Sequence, residues 1–358
     1  MGDPLFRVEQ LRITFPGRTG PLVAVSGASL ELRSGEVLGL VGESGSGKSL
    51  TCRSTLRLMP PHAHMTASEL SFEGCDLLSL GGRKLREHRA QQVGIVFQDP
   101  FSCLDPTMRV GEQIAETLRV NAGLGRAQAR QRTIELLGKV DIPDPERRYL
   151  AYPHEFSGGM RQRIAIALAI SCQPKLLVAD EPTTALDVTT QAQILALLQR
   201  LRQQTGMSIL LVSHDFGVIA QICDRVAVMY GGYVIEVGPI ADVYTAPLHP
   251  YTRALLAAIP TIESAGTRSR RTGIPGQPPG LGDIASGCPF LPRCSMGEPS
   301  CSSLDMALVP FTAQHATACP VAVRGLTKLA AGVLEPPAVP GRDAAAPRAA
   351  TSGHLVDP

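Results

Sequence analysis

The sequence lacks an excess of charge of either sign and a long apolar run. Its 34 Lys and Arg residues nearly balance 32 Asp and Glu residues, which leaves a net charge of +2. We therefore expect no nucleic-acid partner. No uninterrupted apolar run reaches the roughly 18 residues of a membrane span. Because residues 1–4 begin neither a basic nor an apolar region, we expect no signal peptide and a protein that stays in the cytosol.

The residues that are present predict an α/β protein. With 358 residues, of which 44% are hydrophobic, the chain can form about two domains and bury a sizeable core. Alternating polarity at residues 5–15 and 22–32 predicts a small N-terminal sheet. Short apolar runs then recur between helical patterns, which favours a mostly parallel, doubly wound sheet. These runs lie at residues 37–41, 93–97, 176–179, 209–212 and 226–229.

Three stretches depart from this alternation. Residues 110–170 have helical patterns and no strand pattern, which predicts a helical insertion. From about residue 261 the composition changes, with a basic run at 268–271 and a Pro- and Gly-rich linker at 274–280. After residue 333 the chain is mostly Ala, Pro and Gly, so we predict a disordered tail.

A glycine-rich motif follows the 37–41 run. Residues 42–49 fit the pattern G-x-x-x-x-G-K-[ST], and a helical pattern follows them. Such glycines let backbone N–H groups surround phosphate oxygens, whereas the alternative is a flexible glycine turn. Lys48 is predicted to reach the β- and γ-phosphates of a nucleotide, and the Ser49 hydroxyl to hold Mg²⁺. The predicted phosphate-binding residues are Gly42, Glu43, Ser44, Gly45, Ser46, Gly47, Lys48 and Ser49.

Polar residues follow three other apolar runs, namely Gln98, the pair Asp180 and Glu181, and His214. An acid at the end of a buried strand is costly unless it meets a cation. Asp180 is therefore predicted to bind Mg²⁺, with Gln98 as a further ligand, and Glu181 to polarise an attacking water. Because ligands of open α/β sheets lie beyond the carboxyl ends of the strands, all four side chains are expected near the γ-phosphate. Taken singly, each also fits a solvated turn or an ordinary packed residue.

Ser157, Gly158 and Gly159 precede a helical run at 161–170. Ser157 can cap this helix, and the two glycines leave N–H donors open. This segment is either a second anion-binding element or a plain helix cap.

These motifs resemble, in their order along the chain, those of ABC-type ATPases. The resemblance covers about the first 240 residues and includes the 156–160 run Phe-Ser-Gly-Gly-Met and the 177–187 run. It implies a P-loop (RecA-like) core, an N-terminal antiparallel β subdomain and a helical signature subdomain at about 105–170. It also implies a head-to-tail dimer, in which the 157–159 signature of one subunit binds the ATP held by its partner.

The resemblance also implies roles for single residues. Gln98 would be the Q-loop residue, Glu181 the general base and His214 the switch histidine. Residues 185–187 would form the D-loop at the dimer seam. Phe15 lies where such proteins place an aromatic residue against adenine, and a core aromatic residue is the alternative.

Three longer runs resemble the ATP-binding subunits of oligopeptide/dipeptide importers, a group that includes nickel and other small-solute systems. They are residues 152–163, 180–188 and 249–256. The resemblance implies two transmembrane permease subunits, an extracytoplasmic substrate-binding protein and a peripheral position on the cytoplasmic face of the membrane. Because Met160 stands where Gln is usual, we expect a heterodimer with a second ATPase subunit. The expected domains are an ATPase domain (1–240), a C-terminal extension (241–325) and a tail (326–358).

Four of the nine cysteines lie close together late in the sequence. Cys288, Cys294, Cys301 and Cys319 have the spacing C-x5-C-x6-C-x17-C. In a cytosolic protein this group predicts a metal site rather than disulfides. The spacing matches no zinc knuckle, and four cysteines suit a [4Fe–4S] cluster as well as zinc. The importer resemblance favours the iron–sulfur cluster, with zinc, His315 as a substitute ligand and unliganded thiols as alternatives.

Other ABC-type ATPases act on DNA or ribosomes, or drive export. DNA-repair members have a long coiled coil between the phosphate loop and the signature, and here that interval shows no sustained heptads. Ribosome-acting members carry two cassettes, whereas this chain has one. Exporters usually lack the His-Pro-Tyr run found here at 249–251. The sequence therefore favours an importer subunit.

Overall fold

The chain forms two sheets with helices packed around them. A computed structural model describes residues 4–18, 20–99, 103–184, 186–259, 273–283 and 286–330. The strands are β1 (Phe6–Phe15), β2 (Leu22–Leu32), β3 (Val37–Val41), β4 (His64–Thr66), β5 (Glu69–Phe72), β6 (Cys75–Asp76), β7 (Val93–Val96), β8 (Leu176–Asp180), β9 (Ser208–Ser213), β10 (Arg225–Tyr230), β11 (Tyr233–Pro239), β12 (Val309–Pro310) and β13 (Ala316–Thr317). The helices are α1 (Lys48–Ser54), α2 (Gly82–Gln91), α3 (Val110–Ala122), α4 (Arg126–Lys139), α5 (Pro145–Arg148), α6 (Gly158–Ala169), α7 (Val188–Thr205), α8 (Phe216–Ile222), α9 (Ile240–Thr245), α10 (Pro250–Ala257) and α11 (Pro320–Ala330).

The smaller sheet contains the two N-terminal strands that the alternating pattern predicts. β1 pairs antiparallel with β2, and also with β4 and β5, while β6 pairs with β5. The register of β1 against β2 shifts between Val8 and Leu11, and both of these residues are buried. The sequence did not predict β4, β5 or β6, because two to four residues are too few for a recognisable pattern.

The larger sheet has the strand order β12-β13-β11-β10-β3-β9-β8-β7. The strands β10, β3, β9, β8 and β7 run parallel, and they are the five strands predicted from apolar runs. Every residue of β3, β8, β9 and β10 is buried, as expected where helices cover both faces of a parallel sheet. The predicted α/β fold is confirmed, with β11, β13 and β12 added antiparallel at one edge.

The region between β7 and β8 is helical, as predicted. It holds α3, α4, α5 and α6, and no strand occurs in the described part of 97–175. Next along the chain, α7 buries the face that its pattern predicts, made of Ile194, Leu195, Leu197, Leu198 and Leu201. The Asp187 carboxylate caps this helix by accepting the N–H of Thr190 at 2.9 Å, and Gly206 ends it with a φ of 70°.

The C-terminal extension continues the larger sheet, since β13 pairs with β11 and β12 pairs with β13. The fully buried carboxylate of Glu236 in β11 accepts the N–H groups of Leu248 (2.7 Å) and His249 (2.8 Å). It also lies 2.8 Å from Nε2 of His315, in the turn between β12 and β13. Because an unpaired buried carboxylate is costly, these contacts attach the extension to the core.

Some predicted segments lie outside the described residues, among them the basic run at 268–271 and the tail from residue 331. The tail is predicted to start at 326, but α11 continues to Ala330, so its first five residues belong to a helix. The linker at 274–280 has neither helix nor strand, as its composition predicts. Within the described ranges, no helix combines the length and the apolar character needed to cross a membrane.

The free energy of unfolding is expected to rise between about pH 4 and pH 6.5 because of His249. Its Nδ1 accepts the N–H of Tyr251 at 3.1 Å, and burial lowers its pKa to about 4. An unfolded histidine titrates near 6.5, so in this window only the unfolded chain binds the proton and acid favours unfolding. His249→Asn keeps a capping acceptor and removes the titration. Urea unfolding at several pH values should show a weaker pH dependence for this variant, and an unchanged dependence would contradict the assignment.

Candidate nucleotide-binding site

Residues 42–49 span the loop between β3 and α1 and the first two residues of α1, where the motif predicts a glycine loop followed by a helix. Gly47, just before α1, has a φ of 96°, and a Cβ there would lie 2.9 Å from the carbonyl oxygen of Ala24. Only glycine suits both the left-handed backbone and this close approach. The loop, hereafter the phosphate loop, therefore turns directly into the start of α1, where backbone N–H groups attract anions.

Lys48 closes the phosphate loop on itself. Its Nζ donates to the carbonyl oxygens of Gly42 (2.8 Å) and Glu43 (2.9 Å), and the side chain is buried. Burial lowers the pKa of Lys48, while the carboxylates of Glu181 and Asp180 act in the opposite direction. The ammonium thus lies between the loop and the acidic end of β8.

Asp180, the last residue of β8, bonds to the phosphate loop. Ser49 Oγ donates to Asp180 Oδ1 at 2.9 Å. Burial raises the pKa of Asp180, whereas the Ser49 hydrogen bond and the Arg53 cation lower it. A carboxylate and a hydroxyl in contact offer the oxygen ligands that Mg²⁺ prefers.

Side chains that follow three different strands come together at Glu181. Its Oε2 accepts from Gln98 Nε2 (3.2 Å) and from Thr184 Oγ1 (2.9 Å), and it lies 3.2 Å from Nδ1 of His214. The structure thus brings Gln98, Glu181 and His214 together at the edge that the strand ends predict, and it adds Thr184. Glu181 has a φ of 49°, a left-handed conformation that costs a non-glycine residue on the order of 1 kcal/mol and is frequent at functional sites.

A cleft of about 450 Å³ is lined by residues 44–49, Gln98, Glu181, Thr184 and His214, together with Leu281 from the extension. Gly42, Glu43 and Asp180 are not in this lining. The sequence does not mark Leu281 as a site residue, because a lone leucine in a Pro- and Gly-rich segment carries no signal. Phe15 is not part of the described lining. It lies half-buried opposite Leu22 and packs against the N-terminal core, so its contact with adenine stays a prediction.

The signature at 157–159 lies away from this cleft. Ser157 Oγ accepts the N–H of Met160 at 3.4 Å and so caps α6. Gly159 faces Thr190 of α7 so closely that a Cβ would collide with it. None of Ser157, Gly158 and Gly159 is in the described lining of the cleft, and their contact with a partner's nucleotide stays a prediction. In the predicted D-loop, residue 185 lies outside the described residues.

The four late cysteines interact with one another. Burial raises the pKa of Cys288 to about 11, and the other three thiols act in the same direction. The N–H of Cys288 donates to the carbonyl oxygen of Cys301 at 2.9 Å, and the cysteines are free. In the part of the chain that the structure describes, no three His, Cys, Asp or Glu side chains are arranged to hold a metal ion. Neither the iron–sulfur cluster nor the zinc alternative has support there, and His315, the substitute ligand of the sequence analysis, instead bonds to Glu236 through Nε2.

The phosphate loop follows β3 of the parallel sheet, and two carboxylates lie at the end of β8, at the same edge. This arrangement defines a P-loop nucleotide-binding protein. The ABC transporter family profile matches residues 25–184, and the profile described as Oligopeptide/dipeptide transporter, C-terminal region, matches residues 235–301. The oligopeptide transport ATP-binding protein OppD of Salmonella typhimurium is 46% identical over 299 residues, covering 84% of this chain and 88% of the relative. OppD of Bacillus subtilis is 47% identical over 292 residues, or 81% of each chain.

Solved structures show the same fold. The ATP-binding cassette MJ0796, as a post-hydrolysis dimer bound to ADP and Pi, aligns with a TM-score of 0.59 at 26% identity, covering 66% of this chain and 98% of that one. The protein cbiO1 of Clostridium perfringens, part of the ABC transporter complex cbiONQ, aligns with a TM-score of 0.58 at 29% identity, covering 68% and 92%. This chain belongs to the ABC transporter family, and within it to the ATP-binding subunits of the oligopeptide/dipeptide group, as its motifs indicate.

Lys48→Ala is expected to raise the Kd for a fluorescent ATP analogue with Mg²⁺ by about tenfold or more. The substitution removes both the ammonium that holds the Gly42 and Glu43 carbonyl groups and a positive charge facing the phosphates. Lys84→Ala, on the exposed side of α2, is the control and should leave the Kd unchanged. Equal affinities of the two variants would show that Lys48 does not contribute to binding.

Proposed function

We propose that this chain is the ATP-binding and ATP-hydrolysing subunit of an importer of oligopeptides or dipeptides. The observation that carries the proposal is the environment of Glu181. Its backbone has a strained left-handed conformation, and its carboxylate contacts Gln98 and His214. Asp180, the residue before Glu181 in the chain, accepts a hydrogen bond from Ser49. Relatives of similar length named as oligopeptide transport ATP-binding proteins support the choice of substrate class.

The phosphate loop would hold the triphosphate of ATP. The buried Nζ of Lys48, which donates to loop carbonyl oxygens, would donate to the β- and γ-phosphates instead. Ser49 and Asp180, already in contact, would hold Mg²⁺ together with Gln98. The bound cation would neutralise phosphate charge, which is the chemistry that a metal supplies to phosphoryl transfer.

Glu181 would take the proton of the attacking water. Gln98 and His214 approach the same oxygen, Oε2, so together they orient the carboxylate. The His214 side chain is 59% exposed, which leaves its ring free to reach the γ-phosphate once ATP is bound. Hydrolysis would thus depend on the present register of β7, β8 and β9, the strands that Gln98, Glu181 and His214 follow.

We propose that the site is completed by a second ATPase subunit. The position of the 157–159 signature outside its own cleft supports a head-to-tail dimer, in which it caps the partner's ATP. A related cassette, MJ0796, is known as a dimer. Met160 in place of Gln supports a heterodimer over two copies of this chain.

Coupling to transport would run through the helical segment at about 105–170, which follows Gln98 in the chain. We propose that it moves two permease subunits, that a substrate-binding protein delivers the solute to them, and that this subunit sits on the cytoplasmic face of the membrane. The ATPase domain would cover 1–240 and the extension 241–325. The profile matches at 25–184 and 235–301 support this division.

The four cysteines of the extension are proposed to bind a [4Fe–4S] cluster. Their thiols are free and mutually close enough to influence one another's pKa. Cysteine thiolates are the ligands that hold such clusters in proteins. When bound, the cluster would cross-link the segments that carry Cys288, Cys294, Cys301 and Cys319.

Glu181→Gln is expected to retain ATP binding and to lower turnover in the assembled complex by about a hundredfold or more, because the amide accepts no proton. The measurement is phosphate release by the full complex, since the isolated subunit lacks the partner's signature. Glu87→Gln, a surface change on α2, should keep full activity. Wild-type turnover by Glu181→Gln would refute the base assignment.

The same variant tests the transported solute. In cells with Glu181→Gln at the native locus, uptake of labelled di- and oligopeptides should stop while the protein is still made. Continued peptide uptake together with lost uptake of nickel would identify the alternative cargo of the family. Continued uptake of both would mean a redundant peptide system or another small solute as the cargo.

Anaerobic purification is expected to give coloured protein with about four iron and four sulfide ions per chain. Cys294→Ser should lose both, because one iron would lack its thiolate. Cys172→Ser, outside the extension, serves as the control and should keep them. Colourless wild-type protein with neither iron nor zinc and with full ATPase activity would contradict the cluster.

A further inference from the structure

Arg293 of the extension packs against the phosphate loop. Its guanidinium forms a bidentate ion pair with the Glu43 carboxylate, at 2.7 Å for Nη1–Oε2 and 3.2 Å for Nη2–Oε1. The other N–H groups donate to the Tyr230 hydroxyl (3.0 Å) and to the carbonyl oxygens of Pro275 (2.8 Å) and Ile274 (3.2 Å). All five N–H donors of this side chain therefore have acceptors.

Glu43 is held at three points. Its N–H donates to the Tyr251 hydroxyl at 2.9 Å, its carbonyl oxygen accepts from Lys48 Nζ at 2.9 Å, and its carboxylate accepts from Arg293. Tyr251 belongs to α10, and Arg293 to the cysteine-containing segment. Two separate parts of the extension thus hold the second residue of the phosphate loop.

The Glu43 carboxylate has the same sign of charge as a nucleotide's phosphates. Like charges repel strongly in a partly buried site, where solvent screens them weakly. The Arg293 side chain is 5% exposed and the Glu43 side chain 24% exposed, so the two charges cancel largely out of water. The bidentate geometry also fixes the direction of the carboxylate, which a lysine could not reproduce.

We propose that Arg293 is a positioning residue of the nucleotide site, which neutralises Glu43 and holds the phosphate loop ready for ATP. This role rests on the proposed ATP site. Without Arg293, the Glu43 carboxylate would be left uncompensated on the phosphate loop, and Glu43 would lose one of its three anchors.

The test is the affinity of full-length variants for a fluorescent ATP analogue with Mg²⁺ at constant ionic strength. Arg293→Gln is expected to raise the Kd about tenfold, and Arg293→Lys, which keeps the charge but not the fork, to raise it less. Adding Glu43→Gln to Arg293→Gln should restore the Kd to within about twofold of wild type, because the carboxylate to be neutralised is gone.

Arg225→Gln is the matched control. Arg225 forms a similarly buried ion pair with Glu36 at 3.1 Å, at the end of β3 opposite the phosphate loop. Its loss is expected to lower the urea midpoint of unfolding and to leave the nucleotide Kd unchanged. If the Kd rises equally in Arg225→Gln and Arg293→Gln, then Arg293 affects binding only through the general stability of the protein, and the proposal is wrong.

A wild-type Kd in Arg293→Gln would also overturn it, and so would a double variant that binds as weakly as Arg293→Gln. If Arg293→Gln does not fold, Arg293→Met decides, since it also removes the charge: it must bind more weakly than Arg293→Met combined with Glu43→Gln, and equal affinities reject the charge compensation. Failure of the wild-type protein to bind the analogue would refute the proposed ATP site. Differences between the variants test only the role of Arg293.

Discussion

The parallel pairing of β3, β9 and β8 decides where the functional groups of this protein lie. Val41 is opposite Ser213, and Val212 is opposite Asp180, so the three strands end at nearly the same level. The phosphate loop after β3, the histidine after β9 and the acidic pair at the end of β8 therefore lie side by side at one edge of the sheet. A shift of one residue in either register would turn these groups toward opposite faces of the sheet.

The extension depends on this sheet and in turn supports the phosphate loop. It adds strands to the edge at β11 and surrounds the buried Glu236. It reaches Glu43 through Tyr251 and Arg293, which lie 208 and 250 residues further along the chain. Because a buried charge or hydrogen-bonding group without its partner is costly, these contacts stabilise the extension and the phosphate loop against each other.

Prediction from the sequence worked where a physical rule links neighbouring residues or strand ends. The five parallel strands were predictable because burial on both faces requires continuous apolar runs. The meeting of Gln98, Glu181 and His214 followed from the rule that parallel strands end at one edge. The short strands β4, β5, β6, β12 and β13 were missed, because two to four residues have no recognisable periodicity. The longer strand β11 was missed as well. Thr184 and Leu281 were missed because neither residue type signals a site.

By itself, the sequence determined the local chemistry of this protein: a glycine loop before a helix, a lysine at the end of that loop, an acidic pair at the end of a strand and the alternation of the main strands with helices. These properties depend on residues that are close in the chain. Only the tertiary structure decided that Arg293 neutralises Glu43, that His315 bonds to Glu236 and that the cysteines interact within the extension. Such contacts join segments far apart in the chain, and no local pattern encodes which buried charge will meet which.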